Sequence, residues 1–156
     1  MTAYFTSQAY DAPAATIWSV LTDFPSWPRW FPRVSEVRIV DGISSGVGAH
    51  IVAVGDNSDV WTRWQVVEWT APTRLVCEHV DSNAPMTAHV QAAYLQFDLV
   101  DEPEGCTLEV EIGADGYGMV GDFFVGMTVG PEVRRMLPDL VDAFTEHVVA
   151  RVAEGL

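Results

Sequence analysis

The stretch Tyr94-Leu95-Gln96-Phe97-Asp98-Leu99-Val100, followed after a break by Thr107-Leu108-Glu109-Val110-Glu111-Ile112, decides the fold. Leu95, Phe97 and Leu99 alternate with Gln96 and Asp98. Leu108, Val110 and Ile112 alternate with Thr107, Glu109 and Glu111. A period of two belongs to a strand, so each run has one dry face and one wet face. The break from Asp101 to Gly105 is too short for a crossover, so the two strands are antiparallel neighbours.

Reading upstream, the same hairpin punctuation predicts strands over 34–41, 47–55, 60–70, 74–81, 86–100 and 106–114. They are separated by Gly42 to Gly46, Asp56-Asn57-Ser58-Asp59, Ala71-Pro72-Thr73, Ser82-Asn83-Ala84-Pro85 and Asp101 to Gly105. Tyr4 to Tyr10 reads as a first strand. Pro13 opens a short amphipathic helix over 13–22 on Ala14, Ile17, Trp18 and Leu21. Pro25, Pro28 and Pro32 then limit the next segment to about one turn. Downstream, residues 113–130 hold six glycines among aromatic and aliphatic residues. A short helix with a break near Gly130 is expected there. Pro131 then opens a long helix to about Val152, with Val133, Met136, Leu137, Leu140, Val141, Phe144, Val148 and Val152 on its apolar face and a kink at Pro138. The order is strand, short helices, six strands, long helix, an α+β arrangement in which a curved seven-stranded antiparallel sheet wraps one helix. A single helix about 10 Å across does not fill such a sheet, so a cavity is expected between them.

Composition excludes several classes. The chain has 156 residues, expected to form one domain over 1–156, with 8 basic and 22 acidic side chains and a formal net charge of −14. Such a surface repels phosphate backbones and anionic membranes, which argues against nucleic-acid partners and membrane insertion. All eight basic residues are arginine, so Schiff-base and phosphate-loop lysine chemistry is excluded. Cys77 and Cys106 match no zinc spacing and fall two strands apart, beyond disulfide reach. No metal or other cofactor is expected. Neither a signal peptide nor an 18-residue apolar run is visible, so the expected location is cytoplasmic.

The chain resembles the START-like (SRPBCC) superfamily, with its helix-grip or birch-pollen-allergen fold, and within it the polyketide cyclase/dehydrase and lipid-transport group. The resemblance rests on Ala12-Pro13 with Ile17-Trp18 and Leu21-Thr22-Asp23, and on Trp27-Pro28-Arg29-Trp30 within Phe24 to Phe31. It continues through Gly46-Val47-Gly48, Val67-Glu68-Trp69 with Pro72 and Arg74-Leu75, and Phe97-Asp98-Leu99 with Gly105-Cys106-Thr107. It implies two short helices between strands 1 and 2, and a pocket for a small hydrophobic molecule of aromatic, polyketide-like or lipid-like kind. It also allows an aromatase/cyclase-type enzyme in which His89, His79 or Tyr94 moves protons, or a protein-interaction module.

Parity supplies candidate site residues. His89 and Gln91 share parity with Leu95 and Phe97 and are expected to face the cavity, where they bond a ligand or form a satisfied polar pair, unless a bulge turns them outward. His79 shares parity with Leu75 and Cys77. Cys77 beside His79 is a weak nucleophile candidate. Trp64 and Val66 are expected inside, with Trp61 and Trp69 of opposite parity to Trp64. Leu95, Phe97, Val110, Met136 and Leu140 complete the expected lining. Trp27 and Trp30 read as structural wedges, or as a gate at the mouth of the cavity. Arg134 and Arg135 either meet an anionic ligand group or balance nearby acids in solvent. The acidic surface suits a basic partner, but no exposed apolar stripe is apparent.

Overall fold

The computed structural model describes residues 2–56 and 59–155, Met86 by its backbone alone. The expected turn at Asn57-Ser58 lies outside them. One antiparallel sheet holds β1 (Thr2–Tyr10), β2 (Val34–Val40), β3 (His50–Gly55), β4 (Trp61–Thr70), β5 (Arg74–Ser82), β6 (Val90–Glu102) and β7 (Gly105–Gly116). Its order is β1-β7-β6-β5-β4-β3-β2. Strands β2 to β7 follow one another as short turns dictate. β1 lies at the far edge, with Tyr4 opposite Ile112 and Tyr10 opposite Cys106. Between β1 and β2 lie α1 (Ala14–Leu21) and a 3-10 helix (Phe24–Arg29). Asp101 of the β6–β7 hairpin accepts the Ala14 N–H at 3.2 Å, placing a carboxylate at the start of α1.

The chain closes with α2 (Gly118–Phe124), a π-helical turn (Val125–Val129) and α3 (Gly130–Ala153). The expected break near Gly130 does not occur, because Gly130 is helical at φ −56° and ψ −51°. Pro131 has no N–H to donate and its ring crowds the carbonyl four residues back. The wider π turn just before it absorbs that misfit. The helix also continues through Pro138.

Three local details shift the expected register. β3 starts at His50 rather than residue 47, because Gly46 and Gly48 take φ of +84° and +93° and turn the chain. A bulge between Val66 and Glu68 brings Trp69 to the inner face, against Trp18 at 5.2 Å and Phe24 at 6.2 Å between ring centroids. The expected opposition of Trp64 and Trp69 is therefore lost. Finally, Pro85–His89 forms a 3-10 helix, so β6 begins at Val90, with a further bulge between Val90 and Ala92.

The core lies between the inner sheet face and α3. Val66, Leu75, Cys77, Leu95, Phe97 and Val110 are buried there, as are Leu140 and Phe144 of α3.

Candidate functional site

The proline-bounded corner after α1 divides the interior in two. Trp27 Nε1 donates to the Leu21 carbonyl at 2.8 Å, which fixes the indole against the end of α1. Trp30 packs on Phe144 of α3, with ring centroids 4.8 Å apart. Phe97 of β6 approaches Trp27 at 6.0 Å and Trp30 at 6.4 Å. These rings fill the space beneath the C-terminal half of α3. The expected cavity between sheet and α3 is corrected accordingly: Trp30 occupies that space between Phe97 and Phe144.

Space remains beside the corner. A cleft of about 210 Å³ is lined by Trp27, Phe31, Arg33, Val34, Ala53, Gly55, Val60, Thr62, Trp64 and Leu95. It exists because β3 offers only small residues here. Ala53 pairs with Val37 and Thr62, and Gly55 pairs with Val34. A cavity of about 150 Å³ already holds a benzene-sized molecule. The cleft therefore has room for one or two fused rings, not for an extended chain.

Of the expected lining, Trp64 and Leu95 border the cleft. Val66, Phe97, Val110 and Leu140 are buried in the surrounding core. Met136 is half-buried and borders an adjoining hollow of about 220 Å³, which also touches Arg33, Glu132, Val133, Arg135 and Asp139. Gln91 is exposed, contrary to its parity, because the bulge beside it turns it outward.

The three candidate proton-transfer residues do not come together. His89 ends the 3-10 helix, is exposed and lies on Phe124 at 4.3 Å between ring centroids. Its expected inward position is corrected, since it precedes the strand. Tyr94 lies on the outer sheet face, where its hydroxyl donates to Glu111 Oε2 at 2.6 Å. Burial and that carboxylate push its pKa up to about 12. His79 stays on the inner face, edge-on to Trp64 at 5.7 Å. Its Nε2 is buried with no hydrogen-bond partner among the described residues. Desolvation pushes its pKa down, against an opposing pull from Asp81, so the imidazole is neutral at pH 7. Cys77 is buried and its thiol is pushed up to about 12 by desolvation, which removes the thiolate a nucleophile requires. Both cysteines are free.

Arg33 and Thr62 were not singled out by sequence reasoning. The available signal was the small pair Ala53 and Gly55, which with opposite parity to Val52 and Val54 leave room on one face. Arg33 carried no such signal, because its direction depends on an unusual φ of +63°.

The structure also corrects the expectation about apolar stripes. Met119, Val120, Phe123 and Met127 recur at helical spacing and are 90%, 77%, 70% and 65% exposed. Among the described residues, no cluster of three His, Cys, Asp or Glu is placed to hold a metal ion. No described helix is long and apolar enough to cross a membrane.

Comparison with known proteins follows the same outline. The family model "Polyketide cyclase / dehydrase and lipid transport" matches residues 1–153. No curated protein sequence matches the chain significantly. Among solved structures, a START superfamily protein from Mycobacterium smegmatis is 15% identical with a TM-score of 0.67, over 97% of each chain. Norcoclaurine synthase from Thalictrum flavum, in complex with dopamine and hydroxybenzaldehyde, is 14% identical with a TM-score of 0.71, over 96% of this chain and 87% of that one. The di-domain aromatase/cyclase StfQ of the steffimycin biosynthetic pathway is 12% identical with a TM-score of 0.70, over 97% of this chain and 51% of that one. At these identities the likeness is one of fold.

Proposed function

The chain belongs to the polyketide cyclase/dehydrase and lipid-transport family, and from that premise we propose that it binds a small ring-bearing, largely apolar molecule in the cleft beside the corner. The observation that carries this reading is the cleft itself. It is built from three aromatic walls, Trp27, Phe31 and Trp64, with Leu95 at its base and only small residues on β3. Flat aromatic walls suit a flat guest, through offset or edge-to-face contact. Burying ~150 Å² of ring surface at ~25 cal/mol per Å² supplies about 4 kcal/mol, which by itself corresponds to millimolar affinity.

The test is to fill the cleft from within. Ala53→Leu adds bulk at the inner face of β3, facing Thr62. Calorimetric titration with 2-naphthalenemethanol is expected to show binding to the natural chain and none to the variant. Equal binding to both would place the ligand elsewhere and remove this reading.

A second reading is a cyclase-type enzyme in which His79 holds or moves a proton. The observation favouring it is the buried, unpartnered Nε2 beside Trp64. A neutral imidazole with one unpaired nitrogen can accept from or donate to an oxygen on a bound ring once Trp64 shifts. His79→Gln is expected to abolish turnover while ring binding survives. Turnover unchanged in that variant would leave binding as the function.

A further inference from the structure

The rim of the cleft has a feature that the apolar walls do not explain. Arg33 is the one cation among the residues that line it. The residue takes φ +63°, a left-handed conformation that a side chain with a Cβ rarely adopts. Its carbonyl is held there by the Asp56 N–H at 3.2 Å. The side chain is 77% exposed, and among the described residues its guanidinium reaches one carboxylate, with Nη1 3.2 Å from Glu132 Oε2. Glu132 does not depend on Arg33, because its Oε1 also meets Arg135 Nη2 at 3.1 Å. Two guanidinium groups thus share one carboxylate at the first turn of α3.

The rest of the chain makes this arrangement informative. At a net charge of −14 the general field opposes any anion, so an anionic guest needs a local cation. Of only eight arginines, Arg33 lines the cleft and Arg135 lines the adjoining hollow, and both meet Glu132. Asp139 borders the adjoining hollow and tempers that charge without meeting Arg33 in an ion pair.

We propose that the ring held in the cleft carries a carboxylate, which binds Arg33 in the place that Glu132 Oε2 takes in this structure. The proposal rests on the cleft being the binding site. The exchange replaces one carboxylate by another, while Glu132 keeps Arg135, so no charge is left unpaired. The guanidinium offers a fixed fork of donors that matches two carboxylate oxygens, which a neutral analogue cannot use. The ligand class is therefore an aromatic acid of one or two rings.

The experiment compares 2-naphthoate with 2-naphthalenemethanol, the same ring with and without the charge, by calorimetry. The natural chain is expected to bind the acid roughly tenfold tighter than the alcohol. Arg33→Gln is expected to remove that advantage, so that acid and alcohol bind with the same affinity. Glu132→Gln removes the competing carboxylate and is expected to tighten the acid alone. Equal affinity for the two ligands, or an equal loss of both in Arg33→Gln, overturns the carboxylate proposal while the cleft stands. Failure of both ligands to bind, or acid binding that persists in Ala53→Leu, overturns the cleft reading and the proposal with it.

Discussion

Trp30 stands against Phe144 with ring centroids 4.8 Å apart and planes inclined by 36°, so a residue of the corner before β2 closes the interior under α3. The contact ties the corner to the C-terminal helix.

Truncating that wedge has two separable effects. Trp30→Ala deletes a 98%-buried ring and is expected to cost about 3–5 kcal/mol. Trp30→Phe is expected to cost far less, because the indole Nε1 is buried without a partner among the described residues and its removal relieves an unmet donor. Urea denaturation of the two variants checks this. Comparable losses in both would mean that the indole nitrogen is satisfied in solution.

Tyr94 is expected to be irrelevant to binding. Its hydroxyl is committed to Glu111 on the outer face, away from Trp64 and Leu95. Tyr94→Phe is expected to lower stability by about 1 kcal/mol and to leave ring affinity unchanged. A weakened ring affinity would show that the outer face communicates with the cleft.

The sheet was legible because Leu95-Phe97-Leu99 and Leu108-Val110-Ile112 state their faces directly, and short turns left one topology. The long helix was legible from its apolar face, Met136 to Val148. What parity failed to convey were insertions. One extra residue at Val67 turns Trp69 inward, and the 3-10 helix at Pro85–His89 takes His89 off the strand altogether. Nor does hydrophobic patterning measure volume. Trp27 and Trp30 read as corner residues, yet their rings consume much of the space that the sheet encloses. Arg33 was illegible for a backbone reason, since only its positive φ directs the guanidinium toward α3.

The exposed stripe on α2 and the π turn makes its own prediction. Met119, Val120 and Phe123 touch solvent rather than core, so Val120→Ser and Phe123→Ser are each expected to change stability by no more than about 0.5 kcal/mol. Equilibrium unfolding decides this. A loss of 2 kcal/mol or more would mean that this face packs against something in solution.

Stability is expected to fall between pH 7 and pH 5.5, before most carboxylates titrate. Among the described residues, two histidines have a buried Nε2 without a hydrogen-bond partner, His79 on β5 and His147 on α3. Desolvation pushes both pKa values below the usual 6.5. At His147 the charges of Arg151 and Arg29 add to the effect, and those of Asp23 and Glu154 oppose it. The sign follows from proton counting. Below 6.5 the unfolded chain binds protons that the folded chain refuses, so acid favours unfolding. The stabilisation is complete above 6.5 and is lost as the pH falls toward the lowered folded values. Replacing both residues by glutamine, which does not titrate, is expected to flatten the urea midpoint across this window. An unchanged slope in the double variant would assign the pH dependence to other groups, while a natural chain already flat from pH 7 to 5.5 would show that neither imidazole resists protonation in the folded state.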